Sequence, residues 1–131
     1  MSMTRAEIIG IQDHAECLHD AGAVHQALDQ MAAAITETLG ETLPVVLCVL
    51  NGGIIPTGQL LTRLEFPLET GYLHATRYRG KTRGADMHWL CEPSIELQDR
   101  TVLIVDDILD EGLTLADIVD FCESSGATQV Y

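Results

Sequence analysis

The residues best equipped for chemistry lie between Val102 and Thr114, in the order Val102-Leu103-Ile104-Val105-Asp106-Asp107-Ile108-Leu109-Asp110-Glu111-Gly112-Leu113-Thr114. Four apolar residues read as a buried strand, four carboxylates follow, and the helix-like pattern begins at Thr114. Carboxylates accept hydrogen bonds from vicinal hydroxyls and help hold Mg²⁺, directly or through water. Gly112 lets the backbone approach a ligand closely, and N–H groups at a helix start bind phosphate. This order predicts a site for a phosphorylated, hydroxyl-rich ligand. A solvated acidic turn would explain the composition, but not the sequence of acid pair, acid, glycine and hydroxyl directly behind an apolar strand.

Two other segments carry candidate chemistry. Asn51-Gly52-Gly53 follows the apolar run Val45 to Leu50, and alone such a triplet is an ordinary turn former. The stretch Arg77-Tyr78-Arg79-Gly80-Lys81-Thr82-Arg83 holds four of the chain's seven Lys and Arg residues. An exposed charged loop is the plain reading. An acidic protein that binds a polyanion needs local positive charge, which favours a lid bringing Arg77, Tyr78, Arg79 or Lys81 over the anion and excluding water.

Elements on either side must position these segments. Thr4 and Glu7 have capping-box spacing ahead of Ile8, Ile9 and Ile11, which predicts a short first helix. Asp20 caps a longer one in which Val24, Leu28, Met31, Ile35 and Leu39 recur at helical spacing, with a stop at Gly40. Val45 to Leu50 reads as a strand buried on both faces, followed by a helix over Ile54 to Leu64. A strand over Leu68 to Thr76, a loop over 77–88 and a short strand over Trp89 to Cys91 come next. After the turn at Gln98-Asp99-Arg100 and the 102–105 strand, a helix over Thr114 to Ser125 places Leu115, Ile118, Val119 and Cys122 on one face. Thr128 to Tyr131 begins another strand. Strands alternating with helices predict an α/β fold, a doubly wound and mostly parallel sheet flanked by helices, with ligands at the carboxyl ends of the strands. One domain over 1–131 is expected, with N-terminal helices over about 4–40 and an α/β core over about 44–131.

Composition excludes several classes. The chain has 131 residues, 47% hydrophobic, and a formal net charge of −13. That charge argues against a nucleic-acid partner, whose affinity rests on neutralising phosphates with Lys and Arg. No apolar run approaches the roughly 20 residues that span a bilayer, and residues 1–10 lack the basic start and long apolar stretch of a secretion signal. Cys17, Cys48, Cys91 and Cys122 are widely spaced without a CxxC pair, which predicts buried, reduced thiols in a cytoplasmic protein. His14, His19, His25, His74 and His88 show no metal-ligand spacing.

The acidic segment resembles the phosphoribosyl-diphosphate (PRPP) binding motif of type I phosphoribosyltransferases. Its Asp-Asp-Ile-Leu-Asp-Glu-Gly form is most similar to the hypoxanthine-guanine phosphoribosyltransferases. The resemblance implies that Asp106 and Asp107 contact the ribose hydroxyls and the Mg²⁺-bound substrate. It implies that Asp110 serves as the catalytic proton acceptor near the purine N7. Asp110, Glu111, Gly112, Leu113 and Thr114 would wrap the 5′-phosphate. Val49-Leu50-Asn51-Gly52-Gly53 resembles the family's pyrophosphate loop, which makes Asn51 and Gly52 the pyrophosphate ligands and places a non-proline cis peptide at Leu50–Asn51. Leu73-His74-Ala75-Thr76-Arg77-Tyr78 leads into the family's mobile active-site loop. Glu111 stands where many relatives carry a hydroxyl residue, tolerable if its side chain faces solvent, and Leu113 where a polar or basic residue is frequent.

The expected activity is purine salvage: Mg²⁺-dependent transfer of 5-phosphoribosyl from PRPP to hypoxanthine or guanine, giving IMP or GMP and pyrophosphate. The expected partners are PRPP and a 6-oxopurine base, without nucleic acid or membrane, in a homo-oligomer (dimer or tetramer). Relatives continue past the position of Tyr131, so the chain is expected to lack the family's C-terminal part, which carries the base-reading lysine, a stacking aromatic and a magnesium-binding aspartate. A nucleotide-sensing regulator and an inactive truncated fragment are the alternatives. A phospho-acceptor receiver domain also has an apolar strand ending in Asp-Asp, but there that strand opens the domain, and here it lies toward the end.

Overall fold

The computed structural model describes residues 2–77 and 87–131. Its elements are helix α1 (Arg5–His14), helix α2 (Ala21–Leu39), strand β1 (Val45–Val49), helix α3 (Ile54–Leu61), strand β2 (Glu69–Arg77), strand β3 (Met87–Cys91), strand β4 (Thr101–Val105), helix α4 (Leu113–Ser124) and strand β5 (Gln129–Val130). The five strands form one sheet in the order β3-β2-β1-β4-β5. β1 runs parallel to β2 and β4, β4 runs parallel to β5, and β3 closes one edge antiparallel to β2.

All five residues of β1 are buried, as a central strand covered on both faces must be. Alternate residues serve different cores, because successive side chains of a strand point to opposite faces. Val45, Leu47 and Val49 join Leu73, Ala75 and Val102 against Ile118 and Cys122 of α4. Val46 joins Leu103 and Val105 against Leu28, Ala32 and Leu39 of α2 and Leu60 of α3. The result is the doubly wound sheet: α4 lies on one face, α2 and α3 on the other. Trp89 and Phe121, with ring centroids 4.5 Å apart, pack β3 against α4.

Local signals account for most boundaries. Thr4 and Glu7 form the reciprocal capping box at α1, and the Asp20 side chain accepts from the Ala23 N–H at 2.8 Å to start α2. α2 stops with Gly40 as its C-cap. α3 ends three residues before the expected Leu64. The Thr62 hydroxyl and the Arg63 guanidinium both donate to the Gln59 carbonyl, and the Arg63 N–H donates to the Leu60 carbonyl, so that side chains and a tightened turn take the last acceptors. Leu64 is buried all the same.

Three expectations need correction. The apolar stripe of α2 is only partly inward: Leu28 and Leu39 are buried, but Val24 and Met31 are exposed, and Ala32 fills the contact instead. The loop expected over 77–88 is shorter among the described residues, because Arg77 ends β2, while Met87 and His88 pair with Arg77 and Thr76 in β3. Of the four free thiols, Cys48 and Cys122 are buried, Cys91 is half-buried and Cys17 is exposed. Among the described residues no helix is long and apolar enough to cross a membrane.

Candidate active site

Chain direction across the sheet creates the crevice. From β1 the chain crosses through α3 to β2 on one side; from β4 it crosses through α4 to β5 on the other. β1 and β4 are parallel neighbours, with Cys48 opposite Val105, so the loops leaving their carboxyl ends start side by side and diverge. Such a switch point is where ligands bind in open α/β sheets.

Glycines close the distance between the two loops. A β-carbon at Gly53 would stand 2.6 Å from the Val49 carbonyl oxygen and 2.7 Å from that of Val105, too near for any side chain. A β-carbon at Gly52 would fall on the Asp107 carboxyl group. The expected pyrophosphate loop and the acid pair are thus brought into direct contact. The Leu50–Asn51 peptide joining β1 to this loop is cis.

The acids differ in environment. Asp106 is half-buried just past β4, and its Oδ1 accepts the Asp107 N–H at 2.8 Å. Burial pushes the Asp106 carboxyl above the usual carboxylate value; the bond from the Asp107 N–H opposes this, and the neighbouring Asp107 side chain adds to it. Asp107, Asp110 and Glu111 are exposed. The Glu111 side chain therefore meets the condition set for a carboxylate beside a phosphate loop.

α4 starts at Gly112, which takes φ +78°, a left-handed conformation that favours glycine. Among the described residues no side chain caps the first turn of α4, nor that of α3 at Gly53, whereas Thr4 and Asp20 cap α1 and α2. The leading N–H groups of α4 therefore have no partner among the described residues, at the end where the helix dipole favours an anion, whereas at α3 the Gly53 and Ile54 N–H groups donate to the Val49 and Asn51 carbonyls and Pro56 has none. Leu113 and Thr114 are the first two residues of α4. The site thus joins two carboxylates, a glycine loop and an open helix start, a combination able to hold a sugar phosphate.

Arg77, expected as part of a lid, ends β2 and reaches α4. At the end of β2 its Nη2 donates to the Leu113 carbonyl at 3.1 Å and forms a close ion pair with Asp117, which lies 40 residues away in sequence. Tyr78, Arg79 and Lys81 lie outside the described residues. Sequence reasoning missed Asp117, since nothing local marks a carboxylate one turn into a helix as the partner of a distant strand end.

Comparison with known proteins agrees with this geometry. The family model described as phosphoribosyl transferase domain matches residues 14–131. The hypoxanthine-guanine-xanthine phosphoribosyltransferase of Tritrichomonas foetus is 28% identical over 110 residues, covering 84% of this chain and 60% of that protein. The hypoxanthine-guanine phosphoribosyltransferase of Lactococcus lactis is 29% identical over 85 residues, covering 64% of this chain and 46% of that protein. The chain thus spans about half the length of these curated relatives. The solved structure of a hypoxanthine phosphoribosyltransferase from Staphylococcus aureus matches with a TM-score of 0.85 at 20% identity, over 93% of this chain and 67% of that one, a likeness of fold. With the family model covering almost its whole length, this chain belongs to the phosphoribosyltransferase domain family.

Proposed function

We propose that this chain transfers 5-phosphoribosyl from PRPP to a 6-oxopurine, hypoxanthine or guanine, releasing pyrophosphate in purine salvage. The observation that carries the reading is the contact of Gly52 with Asp107 beside the uncapped start of α4. Diphosphate, ribose and 5′-phosphate are the three parts of PRPP, and three adjoining features suit them. Asn51 and Gly52 would cradle the diphosphate. Asp106 and Asp107 would accept hydrogen bonds from the ribose hydroxyls, while Asp110 to Thr114 would enclose the 5′-phosphate. Holding these parts fixes the anomeric carbon against the incoming base, which is where most of the rate gain from positioning arises. Asp110, exposed in the same turn, takes or relays the proton of the base.

Magnesium fits the donor set. Mg²⁺ favours one or two protein carboxylates completed by substrate oxygens and water, and Asp106 and Asp107 supply two beside the loop for phosphate. When bound, it would neutralise charge on the departing diphosphate. Self-association belongs to the same proposal, the exposed Ile8 and Ile11 of α1 offering apolar surface.

The test is formation of nucleoside monophosphate and pyrophosphate from PRPP with hypoxanthine, guanine, xanthine and adenine. Product with the 6-oxopurines, abolished by EDTA and restored by Mg²⁺, is the expected result. Turnover with adenine alone, or none with any base, would overturn it. A monomer mass by light scattering would remove the self-association.

A further inference from the structure

Arg77 is a described cation at the carboxyl end of β2, and its guanidinium reaches the first turns of α4. It bonds α4. One Nη2 serves both the Leu113 carbonyl, at 3.1 Å, and the Asp117 carboxylate. Asp117 is half-buried and the pair is partly shielded, with side-chain exposures of 28% for Arg77 and 40% for Asp117. The Leu113 carbonyl belongs to the same planar peptide unit as the Thr114 N–H, and in that unit the two groups point in opposite directions. A charged donor on the carbonyl therefore holds the orientation of the Thr114 N–H. It also polarises the peptide, making that N–H a stronger donor. Among the described residues no side chain caps this turn, whose cap is a glycine at φ +78°.

We propose that Arg77 is a positioning residue for the 5′-phosphate: it acts through the Leu113–Thr114 peptide, aiming and strengthening the Thr114 N–H, with Asp117 fixing the guanidinium. The inference rests on the reading that the first turn of α4 receives the 5′-phosphate. It replaces a lid role for Arg77 over the diphosphate, and the two roles give opposite ligand selectivity.

The experiment measures binding of ribose 5-phosphate and of pyrophosphate, separately, to the wild-type chain, Arg77→Met and Arg77→Lys by calorimetry. Arg77→Met is expected to weaken ribose 5-phosphate about ten-fold, in keeping with loss of a charge-assisted hydrogen bond, and to leave pyrophosphate nearly unchanged. Arg77→Lys, which keeps charge without the planar fork, should fall between. In the ligand-free protein the Thr114 amide proton should move upfield in Arg77→Met, a signature that an altered fold alone does not produce at one amide. Unchanged ribose 5-phosphate affinity, or a loss confined to pyrophosphate, would overturn the proposal. If Arg77→Met does not fold, Arg77→Lys is read by the same criteria. A wild-type chain that binds pyrophosphate but not ribose 5-phosphate would instead sink the assignment of the α4 turn, whatever the Thr114 shift shows.

Discussion

At the scale of single residues, the acids of the 106–111 loop separate by environment, and each separation has a measurable consequence. Asp110→Asn should lower kcat far more than it weakens PRPP, since a proton acceptor matters chiefly in the transition state; equal losses in both would remove its role. Asp106 has a folded pKa raised mainly by burial, so its ionised form opposes folding. For a raised carboxyl, the stability present below the unfolded pKa is lost as pH rises through the folded pKa. Asp106→Asn should therefore melt higher than wild type at pH 7, with the gain shrinking as pH falls toward 4. Glu111→Gln, which removes the same charge from an exposed side chain, is the control, and an equal gain there would sink the argument. The thiols separate in the same way. Burial, with the Glu123 charge adding, pushes Cys122 up to about 11, whereas Cys17 is exposed. Iodoacetamide at pH 8 should label Cys17 in the native protein and Cys122 only after unfolding, as read by peptide mass spectrometry.

At the scale of elements, legibility followed the range of the physics. The capping box at Thr4, the Asp20 cap, the Gly40 stop and the glycine start of α4 involve residues within four positions of one another, and all could be read in order along the chain. β1 was legible because burial on both faces demands an unbroken apolar run. Its division between two cores was not, nor was the exposure of Val24 and Met31, since periodicity shows which face is apolar but not how far a neighbour covers it. The Asp106–Asp107 and Asn51–Gly52 segments were singled out separately, and their contact needed the β1–β4 pairing. The Arg77–Asp117 pair was illegible for the same reason. Ile118 shows how α4 is held: it is fully buried in the core formed with β1, β2 and β4. Ile118→Ala should cost about 2–5 kcal/mol in urea unfolding. A cost below about 1 kcal/mol would mean that α4 is not anchored by this face.

At the scale of the whole molecule, a chain of net charge −13 presents an uncapped helix start at the carboxyl ends of its central strands. The N–H groups at the uncapped start of α4 carry no formal charge and add nothing to self-repulsion across the surface. The contact between Gly52 and Asp107 has a thermodynamic corollary. Under the proposed assignment of the two loops, this close approach predicts that occupancy of the diphosphate cradle and of the sugar site are linked quantities. By reciprocity, whatever factor pyrophosphate contributes to the affinity for ribose 5-phosphate, ribose 5-phosphate must return to pyrophosphate. Gly52→Ala, which drives a methyl group into the Asp107 carboxyl, should weaken both ligands together. Titrating each ligand in the presence of the other would measure that shared factor, and a factor of one would show that the loops, though touching, answer to their ligands independently.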